Sequence, residues 1–129
     1  KAPVHSAKKL AAGAVENGVI RLYPAGGVVC LAEGIETALS VHALTGLPAW
    51  SVVSLSGMKR FGPETIPDGV RTIRICGDHD RSYAGAAGAY ELASRLRRSR
   101  PELEVSVHIP QAAGTDWNDV LLAHGMLKL

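Results

Sequence analysis

Short apolar runs alternate along the chain with longer stretches of helical periodicity. The runs are bounded by Gly, Pro or polar residues and have the length of buried strands. They cover residues 28–32, 50–55, 71–76 and 105–109. Because such runs have no polar face, we expect each strand to be covered on both sides of a sheet.

Helices are predicted between these strands. Apolar residues recur at helical spacing over residues 35–44, 84–98 and 117–123. Gly46 is the expected C-cap of the first helix, and we expect the last helix to stop at Gly125. Strands that alternate with helices indicate an α/β fold with a mostly parallel, four-stranded sheet flanked by helices.

The amino-terminal segment has a different pattern. Asn17-Gly18 lies between two short runs of alternating residues, which is the strongest local signal for a β-hairpin. We therefore divide the chain into a hairpin and lead-in segment, residues 1–27, and a main domain, residues 28–129.

Composition narrows the class of protein. The chain has 129 residues, a net charge of +2 and two cysteines, both inside predicted strands, so we expect one globular domain with free core thiols. There is no zinc-binding Cys pattern, signal peptide or membrane-length apolar run, which predicts a cytoplasmic protein without membrane contact. Because the chain starts with Lys-Ala-Pro, we expect it to be part of a longer protein.

Carboxylates follow the predicted strands at their carboxyl ends. Glu33 follows the first strand, Asp78 and Asp80 follow the third, and Asp116 and Asp119 follow the fourth. The carboxyl ends of parallel strands share one edge of a sheet, and ligands bind there. Converging carboxylates repel one another unless a cation lies among them, so this pattern predicts Mg²⁺ or Mn²⁺.

Other interpretations of Asp78-His79-Asp80 remain open. An Asp-rich turn can simply cap the next helix, a role that Ser82 can also fill. A calcium-binding EF-hand is excluded, because its Gly and Glu positions hold Tyr83 and Ala89. The pattern also fits a phosphatase of the haloacid dehalogenase type, although no lysine follows at a suitable position. Glycine-rich nucleotide-binding loops are absent.

Several segments in register resemble one known family. Residues 31–40 read LAEGIETALS, residues 77–80 read GDHD, and residues 116–119 read DWND. Together with the Gly-Ala segment at 84–87 they resemble the Toprim domain of primases, topoisomerases and some nucleases, and more narrowly that of phage- and plasmid-type DNA primases. The resemblance covers about residues 28–125, and three motifs in order are far more specific than one.

The resemblance implies roles for individual residues. Glu33, Asp78 and Asp80 would be catalytic, and these three with Asp116 would bind Mg²⁺ or Mn²⁺. His79 and Asp119 would be accessory. The sequence departs from the usual pattern in having His79 in the middle of the motif, and two additional residues before the Gly-Ala segment.

Cations near the acidic residues would contact a phosphate backbone. Lys59 and Arg60 follow the second predicted strand, and Arg81 follows Asp80 directly. We expect these three residues to bind nucleic acid or phosphate. A further arginine cluster, residues 95–100, is either a second contact or a solvated helix end.

Three functions are consistent with this resemblance. The first is nucleotidyl transfer by a DNA primase-like protein on a single-stranded DNA template. A primase of this kind would also need zinc-binding, polymerase or helicase domains, which lie outside this chain. We therefore expect little activity from the chain alone. The second is a Toprim nuclease or DNA-cleaving module. The third is a platform that binds nucleic acid without catalysis.

Overall fold

The protein is described by a computed structural model that covers residues 15–16 and 18–128, with side chains for residues 18–124. Within this part the strands are β1 (Val15–Glu16), β2 (Val19–Ile20), β3 (Val28–Ala32), β4 (Ala49–Ser51), β5 (Thr72–Cys76) and β6 (Glu104–His108). The helices are α1 (Ile35–Thr45), α2 (Leu55–Arg60), α3 (Ala84–Ser99) and α4 (Trp117–Lys128), and Pro63–Thr65 forms a 3₁₀ turn.

One sheet contains all the described strands, in the order β1-β2-β4-β3-β5-β6. Strands β4, β3, β5 and β6 are parallel, which confirms the predicted α/β class with a four-stranded parallel core. The predicted hairpin also forms, but it extends the same sheet, because Ile20 of β2 pairs antiparallel with Ser51 of β4. Asn17 lies outside the described residues, and the domain division at residue 27 stays a prediction.

The two faces of the sheet carry side chains of different size. Large residues such as Leu31, Trp50 and Ile75 pack on the face covered by α2 and α3. Small residues, including Cys30 and Cys76, lie on the opposite face under α1, and small side chains allow a helix to approach the sheet closely. Both thiols are buried and free, as expected. No described helix is long and apolar enough to cross a membrane.

The prediction of a strand over residues 50–55 was wrong in its second half. Strand β4 ends at Ser51, and helix α2 begins four residues later. The side chain of Ser54 caps this helix by accepting a hydrogen bond of 3.1 Å from the backbone of Gly57. Val53 precedes the cap with a φ of 77°, a left-handed conformation that β-branched residues rarely adopt. The apolar run therefore contains a strand, a strained turn and the start of a helix.

Two further boundaries differ from the predictions. Helix α4 continues past Gly125 to Lys128, because a single glycine costs a helix only about 1 kcal/mol relative to alanine. Lys59 and Arg60 lie in the last turn of α2 and not in a loop after a strand. By contrast, Gly46 ends α1 in the left-handed conformation that a C-cap requires, as predicted.

Candidate metal centre

The register of the sheet places the predicted acidic residues at one edge. Ala32 at the end of β3 pairs with Cys76 at the end of β5, so Glu33 and Gly77-Asp78 leave neighbouring strands side by side. Cys76 in turn pairs with His108 at the end of β6. The loop that follows β6 returns to the same edge before α4 begins, and it brings Asp116 with it.

Asp78 lies at the electrostatic centre of this edge. Its carboxyl is half-buried, and the pKa of Asp78 is raised to about 6, first by burial and then by the charges of Asp116, Glu33, Asp80 and Asp119. Burial and the charge of Asp80 also raise the pKa of Glu33. The Oδ1 atom of Asp78 is buried and has no hydrogen-bond partner. The charges of four predicted site residues therefore act on a fifth, Asp78, which has a buried oxygen without a hydrogen-bond partner.

Asp80 is held by the start of helix α3. Both of its carboxylate oxygens lie 3.3 Å from the backbone nitrogen of Gly85, in the first turn, where helices favour negative charge. The helix-capping interpretation of this acid is thus partly correct. A Cβ on Gly85 would lie only 2.8 Å from the backbone oxygen of Asp78. The acidic loop, residues 77–80, therefore lies directly against the start of α3, and only glycine permits this contact.

His79 joins the acidic loop by hydrogen bonds to the loop between β6 and α4. Its backbone nitrogen donates to the carbonyl of Thr115 at 2.9 Å, and its Nδ1 lies 2.7 Å from the carbonyl oxygen of Pro110. At the first residue of α4, Trp117 Nε1 donates to the carbonyl of Gly77 at 3.0 Å. The imidazole of His79 thus contacts the backbone of the neighbouring loop and positions the two aspartates beside it.

Asp116 and Asp119 form a reciprocal cap on α4. The backbone nitrogen of Asp119 donates to Asp116 Oδ1, and the backbone nitrogen of Asp116 donates to Asp119 Oδ2, both at 2.9 Å. This arrangement is equivalent to a capping box, which satisfies two amides at a helix start. Asp119, predicted as an accessory residue, therefore holds the carboxylate of Asp116 at the start of α4.

The three predicted phosphate-binding cations lie at different places. Arg81 is exposed and lies beside Gly114 in the loop before Asp116. Lys59 lies with Glu91 along a groove between α2 and α3, whereas the guanidinium of Arg60 lies near Gly18 in the hairpin turn. The structure therefore places Arg81 next to the acidic residues and separates Lys59 from Arg60.

A sequence pattern would not have revealed three of the residues that shape this edge. Gly85 admits the acidic loop, Trp117 binds the carbonyl of Gly77, and Thr115 pairs with His79. Two of these contacts join residues more than thirty positions apart, and they follow from the strand order. Of the three, only Gly85 lies in a segment that the sequence singled out, the Gly-Ala segment at 84–87.

The residues at this edge fit a hard divalent cation. Among the described residues, no three His, Cys, Asp or Glu side chains form a ready-made metal cage. Mg²⁺ seldom uses such a cage, because it keeps several waters and binds through one or two carboxylates together with substrate phosphates. The unpartnered Asp78 Oδ1 and the crowded negative charge are what such an ion would satisfy. Asp78 and Asp80, assisted by Glu33 and Asp116, would hold it.

Residues 28–126 match the family model of the Toprim domain. The chain belongs to the Toprim family. No curated protein and no solved structure shows a significant match to it. Toprim domains occur in primases, topoisomerases and nucleases, and they typically bind Mg²⁺ through acidic residues. This Toprim domain is accordingly a metal-binding module of the nucleotidyl-transfer or nuclease type.

The raised pKa of Asp78 predicts how this Toprim domain responds to pH. An unfolded aspartate titrates near pH 3.9, whereas the folded protein holds the pKa of Asp78 at about 6. Between about pH 3.9 and about pH 6 the folded state binds more protons than the unfolded state. The free energy of unfolding therefore falls as pH rises through this range, and the loss is complete above about pH 6. A shift of this size corresponds at most to about 3 kcal/mol, and about 1 kcal/mol is expected for a half-buried group.

Asp78→Asn is therefore expected to stabilise the metal-free domain by about 1 kcal/mol near pH 7.5, and to lose this advantage near pH 4. Urea unfolding in a chelator at both pH values measures the difference. Asp68→Asn is the matched control, because Asp68 is exposed in the loop before β5. An Asp78→Asn protein less stable than the wild type near neutral pH would contradict the account.

Proposed function

We propose that this chain is the catalytic Toprim domain of a DNA primase-like protein, which joins nucleotides on a single-stranded DNA template. One observation carries the proposal, namely the unpartnered Asp78 Oδ1 among four further carboxylates. The resemblance of residues 31–40 to the primase-type motif supports primer synthesis over the other activities of the family. Mg²⁺ or Mn²⁺ is the cofactor that this set of oxygen atoms would select.

The bound cation would lower the pKa of the attacking hydroxyl and neutralise charge on the phosphate oxygens. The chain's own residues prepare this chemistry. Asp78 and Asp80 would hold the cation, and the Gly85 amide lies within hydrogen-bonding distance of the Asp80 carboxylate that it positions. Glu33 extends from the neighbouring strand, and its raised pKa suits a group that accepts or returns the proton of the reacting hydroxyl.

Substrate binding requires positive charge beside these acidic residues. Arg81 is the best placed of the described cations, because it lies over the loop that carries Asp116. Lys59 is suited to a more distant phosphate along the groove between α2 and α3. Arg60, beside the hairpin, would contact the strand only farther from the metal. Single-stranded DNA and nucleotides are the proposed partners, with zinc-binding, polymerase or helicase domains of the parent protein.

Primer synthesis by the parent protein tests this function. Asp80→Asn is expected to reduce synthesis at least about 100-fold, the effect of removing one electrostatic stabiliser of a transition state. Asp68→Asn should leave the rate unchanged. Undiminished synthesis by Asp80→Asn would overturn the proposal. Metal-dependent nicking of plasmid DNA without nucleotides would assign the acids to a nuclease instead, and DNA binding indifferent to both metal and acids would indicate a platform.

A further inference from the structure

Two tyrosines, one at the N-cap of helix α3 and one within it, are unusually exposed. Tyr83, immediately before the helix, exposes 65% of its surface, and Tyr90 exposes 60%. Aromatic rings normally bury most of their area in a folded protein. Among the described residues the one ring near either tyrosine is that of His79, whose centre is 6.3 Å from that of Tyr83. Both rings therefore offer free faces to solvent.

Local structure does not account for the tyrosine at position 83. This residue is the N-cap of α3, where Ser, Thr, Asp or Asn stabilises a helix, yet its side chain makes no capping bond. Its φ of 63° lies in the left-handed region, which costs most residues about 1 kcal/mol relative to glycine. The backbone holds it there, because Tyr83 N donates to Asp80 O at 3.1 Å. A smaller polar residue would suit both the N-cap and the left-handed backbone better than tyrosine does. We therefore infer that the aromatic ring of Tyr83 has a functional role.

The two rings lie on the same flank of the helix. Tyr83 faces His79, which is bound to the loop after β6. Tyr90 lines a groove with Ala93, Arg97 and residues 105–107 of β6. Positions 83, 90 and 97 are seven residues apart, which corresponds to about 10 Å along a helix. A line of side chains therefore leads from the acidic loop to the end of α3.

Charge along this flank favours a polyanion. Its exposed helical positions carry no acidic residue, and they are Tyr90, Ser94 and Arg97. The exposed acid of the helix, Glu91, instead pairs with Arg95. Arg95 also donates to the carbonyl oxygens of Met58 in α2 and of Phe61, the C-cap of α2. Arg97 is already oriented by a 3.0 Å bond to the carbonyl of Val105. Arg81 begins the line beside the acids, so cations lie at both ends and aromatic rings between them.

We propose that this α3–β6 flank, defined by Tyr83, Tyr90 and Arg97, is a track for single-stranded nucleic acid. Bases stack on the two tyrosines, and the arginines at either end hold phosphates. Every base offers a π-face, so such a track is tolerant of sequence, and it requires an unpaired strand. The inference rests on the proposed nucleic-acid function, and it adds a path for the strand, which runs from the metal centre along the flank of α3 toward Arg97.

Binding of a fluorescein-labelled oligothymidylate to this chain, measured by anisotropy in a chelator, tests the track without catalysis. Tyr90→Ala and Tyr83→Ala are each expected to raise the Kd at least about five-fold, because stacking contributes about 1–3 kcal/mol per base. Tyr90→Phe and Tyr83→Phe keep the ring and should bind like the wild type. Unfolding curves of all four variants confirm that the fold is intact. Tyr90→Ala is the less disruptive variant, because Tyr90 lies in regular helix, whereas the backbone of Tyr83 is left-handed.

Each outcome separates the track from the proposed function. Equal affinity of the Ala variants and the wild type, or no binding by the wild-type chain, overturns the track, whereas primer synthesis by the parent protein still decides the function. Weaker binding by the Ala variants with undiminished synthesis by Asp80→Asn supports the track and removes the function. A dimer of the wild-type chain that Tyr90→Ala dissociates would identify the flank as a protein interface and overturn the proposal.

Discussion

Gly57→Ala is expected to abolish the folded state of this protein. A Cβ at position 57 would lie 1.7 Å from the backbone oxygen of Val52 and 2.9 Å from its carbonyl carbon. Neither atom is on a flexible side chain, so helix α2 would have to move away from the end of β4. Met58 and Phe61, both fully buried against the sheet, would leave the core with it. Loss of such packing costs more than about 3 kcal/mol per large side chain, a large part of a typical stability of 5–15 kcal/mol.

Circular dichroism and urea unfolding measure this effect. The expected result is a variant without a cooperative transition, or with a midpoint greatly below that of the wild type. Gly69→Ala is the matched control, because a Cβ there meets nothing within 4 Å, and it should unfold like the wild type. A Gly57→Ala protein with wild-type stability would show that α2 does not pack against β4 as described.

Gly85→Ala is expected to weaken metal binding while leaving the domain folded. The added Cβ would lie 2.8 Å from the backbone oxygen of Asp78 and 3.4 Å from Asp80 Oδ2. The acidic loop must therefore move outward, and a displaced ligand set binds a cation with poor geometry. Because errors near a metal's ligands typically reduce affinity about 10- to 100-fold, we expect a Kd for Mn²⁺ at least ten times higher.

Gly88→Ala on the same helix is the control for this prediction. A Cβ there would meet only the flexible ends of Leu55 and Met58, at 3.3 and 3.4 Å, and it lies a full turn from the acidic loop. Both variants gain the same helix-favouring methyl group, so a difference in Mn²⁺ affinity reports the loop alone. Equal affinities of the two variants would mean that the contact between Gly85 and the acidic loop does not shape the site.

The parallel core and the convergence of the acids were predictable, and the reason is physical. Continuous apolar runs indicate strands buried on both faces, and their carboxyl ends must share an edge if the strands are parallel. Glu33 and Asp78 follow two such runs, and β3 and β5 are indeed direct neighbours. The resemblance to the Toprim family then implied which of these acids are catalytic and which bind metal, and these roles stay predictions.

Helix α2 could not be predicted, because its signals are local and mixed. The segment after Trp50 continues with two valines, which favour a strand, and the turn depends on a left-handed Val53 that no propensity would suggest. Only Ser54, a residue type that favours the N-cap position, indicates a helix start. Because the strand was predicted to continue too far, Lys59 and Arg60 were expected in a loop beside the acids. They lie instead in the last turn of α2.

The functions of His79 and Trp117 in the site depend on tertiary contacts, whereas Asp119 acts through a local contact three residues away. His79 binds the carbonyl of Pro110, and Trp117 binds the carbonyl of Gly77. Asp119 shares a reciprocal cap with Asp116. Residue type alone suggested a ligand for two of these positions and nothing for the tryptophan. Long-range hydrogen bonds to backbone carbonyls leave no periodic pattern in a sequence.

The central claim is that the acids at this edge form one cation site organised around Asp78. Calorimetric titration of Mn²⁺ into the wild-type domain, Asp78→Asn and the exposed control Asp68→Asn tests it most directly. The account predicts saturable binding by the wild type and by Asp68→Asn, and none by Asp78→Asn. Binding of equal strength in all three proteins, or in none of them, would contradict it.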